Sequence, residues 1–172
     1  MKTLKIAVSF IFLLSFLGCD KDDSKDLTNV NVEEYVALLK AGRYNSTDLP
    51  NFTSNDIPAL LAYGNKTQLI TNFPANPISS MGNPNCTLGM YILWTIESIR
   101  AVSIESEYLI GRFPSQNPVV QQTEEPYNVE RNNEVQDIVA NAYKNWWENN
   151  KQKSFNEFKA IDPLEDTGYR WH

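Results

Sequence analysis

Residues 86–103, CTLGMYILWTIESIRAVS, govern how the rest of this chain is read. At 100° per residue, Leu88, Ile92, Ile96, Ile99 and Val102 share one face of a helix, while Met90, Trp94 and Ala101 lie roughly opposite. A surface helix carries one apolar stripe; a helix apolar on two sides has to be enclosed by neighbours. The stretch therefore predicts a central helix, opened by Asn83-Pro84, around which the other elements pack. Glu97 is the one acid in it, beside Leu93 and Met90. Burial raises a carboxyl pKa and turns the group into a candidate acid. The competing reading pairs Glu97 with Arg100, three residues on, at a solvent-facing edge.

The segments on either side supply the neighbours. Asn31-Val32-Glu33-Glu34 is a helix start in which Asn31 caps and Glu34 reaches back, with Tyr35, Val36, Leu38 and Leu39 apolar and Gly42 as the stop. In SNDIPALLAYGN, Ser54 or Asp56 caps a second helix, Pro58 falls in its first turn and Gly64 ends it. Residues 66–85 are broken by Pro74, Pro77, Gly82 and Pro84, which predicts a short helical turn and an ordered loop, with Leu69, Ile70, Phe73 and Ile78 packed on the domain. Residues 132–150, NNEVQDIVANAYKNWWENN, are the clearest amphipathic helix, capped by Asn132 or Asn133, with Val135, Ile138, Val139, Ala142, Tyr143 and Trp146 at helical spacing. Ser154 and Glu157 form a capping box for a short helix to Ala160. The closing DPLEDTGYRWH holds Leu164, Tyr169 and Trp171, enough apolar surface to dock. These elements predict an all-α fold, an irregular stack of about five helices with long ordered loops. The alternative is α+β, with short strands in residues 104–131, where prolines preclude a long helix.

The beginning of the chain has a different character. Residues 1–5 carry two lysines and no acid, residues 6–17 are apolar apart from two serines, and Gly18 precedes Cys19. Charged start, short apolar core and small residue at the cut site form the pattern of a secretory signal peptide. About a dozen apolar residues fall short of the roughly 20 that span a bilayer. The expected organisation is a signal peptide over 1–18, a polar tether over 19–29 and one domain over 30–172. Loss of residues 1–18 takes Lys2 and Lys5 from the 15 basic residues, leaving 13 against 21 acidic, a net charge of −8. An acidic chain repels phosphate backbones, so nucleic acid is not an expected partner.

The FLGC stretch at 16–19 resembles the lipobox of bacterial lipoproteins, and Asp20-Lys21-Asp22-Asp23 resembles the acidic export signal of Bacteroidetes surface lipoproteins. DIPALLAYGN, NFPANPISS, LGMYILWTIESIRA and DPLEDTGYRWH together look like a family of small Bacteroidetes lipoproteins without an assigned function, over most of residues 31–172. The resemblance implies cleavage before Cys19, acylation of its thiol with fatty chains such as palmitate, and a lipid-anchored, surface-exposed place in the outer membrane. Two or more acyl chains make release from a bilayer very slow, at about 0.8 kcal/mol per buried CH2. With Cys19 acylated, Cys86 is the remaining thiol, expected to be buried and inert. The resemblance supplies no catalytic residue.

The residues themselves narrow the chemistry further. His172 is the single histidine and the last residue, a poor base for a nucleophilic triad. Histidine-rich metal sites and multi-thiolate sites are excluded by composition, and no phosphate-cradling GxxxxGK[ST] or GxGxxG is present, so no cofactor or metal is expected. Two function classes follow. One is a non-enzymatic binding or accessory module meeting envelope proteins or glycans through an exposed aromatic pair, Tyr143 and Trp147, four residues apart on one helix. In the competing reading of that pair, the C-terminal tail covers Trp147. The other class is a carboxylate-based hydrolase built on Glu97 and a second acid, which glycoside hydrolysis needs roughly 5–10 Å away. A structural spacer is the remaining option.

Overall fold

The computed structural model describes residues 26–81 and 86–172. Cys19 and most of the tether therefore lie outside the described residues, as does the Asn83-Pro84 helix opening. The described elements run in the order α1 (Val32–Lys40), α2 (Ile57–Leu61), β1 (Leu69–Ile70), β2 (Cys86–Thr87), α3 (Leu88–Ser103), β3 (Val120–Gln122), β4 (Val129–Glu130), α4 (Asn133–Asn150), α5 (Phe155–Phe158) and β5 (Tyr169–Trp171), with 3-10 turns before α1 and α2.

The fold is mixed α+β, which corrects the all-α expectation. β1 and β2 form an antiparallel pair, and a three-stranded antiparallel sheet has the order β4-β3-β5. β3 and β4 fall in the segment 104–131 where strands were the alternative. β1 replaces the helical turn expected after Lys66. β5 was not anticipated at all, because its partner lies some fifty residues back: Val120 faces Trp171 and Gln122 faces Tyr169. Pairing at that separation leaves no trace in local periodicity.

Helix starts follow the sequence closely. Asn31 Oδ1 accepts from the Glu34 N–H at 2.8 Å and Asn132 Oδ1 from the Val135 N–H at 2.9 Å. The Glu157 carboxylate accepts from the Ser154 N–H at 2.8 Å. Of the two caps read for α2, Asp56 holds the N-cap position, though without a side-chain cap hydrogen bond; Thr53 caps the 3-10 turn before it, with the Asp56 carboxylate accepting from the Thr53 N–H at 2.8 Å. α3 starts on Thr87, whose hydroxyl accepts from the Met90 N–H.

α3 is the axis of the domain. Every residue from 88 to 99 is buried, and the helix packs against α1, α2 and α4. Gly89 permits the closest approach. A Cβ at this position would overlap the Gly64 carbonyl at the end of α2 and the Gln136 amide of α4. Gln136, itself buried, accepts from the Thr87 hydroxyl at 2.7 Å and donates to the Gly64 and Lys66 carbonyls, so one side chain satisfies three polar groups where α2, α3 and α4 meet. Around α3 the core is aromatic: Tyr35 meets Tyr44 and Phe52 edge-on, and Tyr91 and Trp94 continue the contact to Phe113. Of the loop residues expected to pack, Ile70 and Phe73 do, whereas Leu69 (61% exposed) and Ile78 (58% exposed) face solvent.

Candidate functional site

Glu97 sits near the middle of α3, and three elements close over it. It is not at a solvent-facing edge: its side chain is 8% exposed and that of Arg100 is 11% exposed. Arg100 Nε donates to Oε2 at 2.9 Å, and its Nη2 reaches Oε1. Tyr143 of α4 donates its hydroxyl proton to Oε2 at 2.6 Å. The same hydroxyl accepts from the Trp171 indole N–H of β5 at 2.8 Å. Arg100 Nη1 also reaches the Lys159 carbonyl after α5.

Burial pushes the Glu97 carboxyl above its ordinary range, against the pull of Arg100 and Tyr143. Burial also works against the Arg100 charge, but the hydrogen bond and charge of Glu97 outweigh it and hold the guanidinium protonated. Tyr143 is held far above the usual phenol range by burial and by the neighbouring carboxylate. The arrangement is an ion pair with its carboxylate saturated by donors. A glycosidase acid needs a free face toward substrate and a second carboxylate. Among the described residues, Glu97 is absent from the walls of the best-formed clefts, including the two beside Trp147.

The Tyr143–Trp147 pair is divided by the structure. Tyr143 is wholly buried, so it is no surface contact. Trp171 of the C-terminal strand covers Tyr143 and leaves Trp147 half-buried. Trp147 leans edge-on against Phe158 of α5, with ring centroids 5.9 Å apart, and is tilted against Trp146 at 6.2 Å. These contacts fix the ring. Its indole N–H has no hydrogen-bond partner among the described residues.

Trp147 forms the shared wall of two clefts. One, of about 410 Å³, lies between α2 and α4 and is lined also by Pro58, Asn65, Asn141 and Lys144. The other, of about 310 Å³, runs toward α5 past Asn55, Lys151, Lys153 and Phe155. The clefts flanking Trp147 come from α2 and α5, which no spacing within α4 could have revealed.

A third cleft, of about 260 Å³, lies between the two sheets, with Leu69, Cys86, Met90, Val119 and Arg131 in its wall. Cys86 is free and 4% exposed. Burial pushes its thiol up to about 12, so the thiolate needed for nucleophilic or metal chemistry does not form near neutrality. His172 is tied to the Asn117 amide through Nδ1 at 2.8 Å, and its backbone pairs with Asn117 and Val119. Among the described residues no group of three or more His, Cys, Asp or Glu could hold a metal ion, and no helix is long and apolar enough to cross a membrane.

Residues 26–172 match the family described as a domain of unknown function, DUF4943. The chain belongs to that family. The DUF4943 match covers all ten elements and the Trp147 face, so domain and family coincide. Comparisons with curated proteins and with solved structures found no match. The roles of individual residues in this DUF4943 domain accordingly rest on its own geometry.

Proposed function

We propose that this DUF4943 protein is a non-enzymatic surface lipoprotein, held to the outer membrane by acyl chains on Cys19, and that its domain is a binding or accessory module working through the Trp147 face. The observation that carries the reading is the contrast along α4. Tyr143 and Trp146 are buried, while Trp147, one residue further on, is rigidly seated yet keeps an open face and a free N–H between two clefts. An aromatic side chain with one apolar face and a polar tip, held in place beforehand, binds at a low cost in conformational entropy. The saturated Glu97 pair and the protonated Cys86 thiol favour binding over hydrolysis. The lipobox-like FLGC and the acids after it support the anchor.

Two experiments test the two halves. Cys19→Ser is expected to abolish incorporation of labelled palmitate and to release the protein from the membrane fraction; unchanged labelling and fractionation would defeat the anchor. A photo-cross-linking residue at position 147, irradiated in intact membranes, is expected to give discrete adducts that the same residue at the exposed position 108 does not. Equal adducts at both positions, or none at 147, would defeat the Trp147 face.

A further inference from the structure

We infer that the occupant of the Trp147 face is an acidic oligosaccharide, one bearing carboxylate or sulfate groups, laid across both clefts. The inference rests on the Trp147 reading above and adds the ligand class to it. Charge is the first argument. The chain as a whole carries −6. Yet the side chains lining the two clefts include three exposed lysines, Lys144, Lys151 and Lys153, against one acid, Glu148. Glu148 is paired with Lys151, and Lys153 rests on the Asn150 amide oxygen at 2.9 Å. Lys144 has no ion-pair partner among the described residues. The local surplus is thus positive and flanks the indole on both sides. An acidic protein that concentrates unneutralised lysines at one aromatic face attracts anions there and repels them elsewhere.

The polar inventory is the second argument. Asn55, Asn65 and Asn141 are exposed, and their side-chain amides have no hydrogen-bond partner among the described residues. Each offers a donor and an acceptor, as sugar hydroxyls require. The flat Trp147 ring supplies the apolar face on which a pyranose can stack.

The walls distinguish a sugar from a peptide. They are built mainly from α2, α4 and α5, whose backbone groups are largely used within the helices, so an extended peptide finds no sheet edge to pair with. An amphipathic helix would need a continuous apolar groove, and here amides and lysines interrupt it.

The test is a titration of the full-length protein with an oligogalacturonate and, in parallel, with a neutral oligoglucan of equal length. The expected result is binding of the oligogalacturonate alone, weakening as salt rises from about 0.05 M to about 0.5 M. Trp147→Ala is expected to abolish it. Because Trp147 also packs on Phe158, the surface pair Lys144→Glu with Lys153→Glu is the decisive variant: it should weaken binding at least about tenfold, roughly 1.4 kcal/mol, with an unchanged Tm. Equal affinity for the oligoglucan, full affinity in the double variant, or no binding of either sugar overturns the proposal. If position 147 then still cross-links a protein in membranes, the binding face stands and the sugar is excluded.

Discussion

The indole N–H of Trp171, the second-last residue of the chain, donates to the phenolic oxygen of Tyr143 in the middle of α4 at 2.8 Å. Through that oxygen the C-terminal strand is linked to Glu97 on the central helix and on to Arg100. The same strand pairs with β3, so the chain end joins sheet and helices. A tail that fixes the centre of the domain leaves Trp147, four residues from Tyr143, as the aromatic residue of α4 facing solvent.

The Tyr143 hydroxyl is a relay, both donor and acceptor, inside the core. Tyr143→Phe should therefore cost about 1–3 kcal/mol, because the Trp171 N–H loses its acceptor and Glu97 a donor together. At about 2–4 °C per kcal/mol for a domain of this size, thermal unfolding should fall by several degrees. An unchanged Tm would show that the relay contributes nothing.

The Glu97–Arg100 pair makes a sharper case. Removing either partner strands a buried charge, so Glu97→Ala and Arg100→Ala should each cost about 3–5 kcal/mol. The double variant should cost less than the two losses added, with a coupling of about 0.5–3 kcal/mol. Denaturant unfolding of the four proteins measures it. Strict additivity would mean that the two side chains do not act as a pair.

Much of this was legible in the sequence, and the failures have physical causes. The two-sided apolar pattern of residues 88–102 identified α3 as the buried axis, and single side chains at Asn31, Asn132 and Ser154 marked helix starts that the structure repeats. Helices are written in near neighbours, so they can be read. β3 and β5 depend on a pairing between residues 120 and 171, which is invisible locally, and the all-α reading failed there. Glu97 was recognised together with its partner Arg100, but its depth depends on Tyr143 and Trp171, distant in sequence. The same distance concealed which member of the Tyr143–Trp147 pair would be covered.

Cys86 offers a pH test. Its folded thiol lies at about 12, against an ordinary value of 9.0. A raised thiol contributes stability that is fully present below pH 9 and is lost as pH rises toward 12, at about 1.4 kcal/mol per unit. Replacing Cys86 with Ala should flatten the alkaline side of the stability curve, beginning near pH 9. Iodoacetamide at pH 8 should label Cys86 in unfolded protein and leave the folded protein unmodified over the same interval. Rapid labelling of the folded protein would contradict the burial described here.

The most direct measurement is affinity capture of the full-length protein from membranes, comparing wild type, Trp147→Ala and Tyr108→Ala. Tyr108 is 73% exposed and lines neither cleft beside Trp147, so it controls for a merely accessible aromatic residue. The account predicts that wild type and Tyr108→Ala retain the same glycans or proteins and that folded Trp147→Ala loses them. Retention of the full catch by Trp147→Ala, or its loss from Tyr108→Ala alone, would contradict the account.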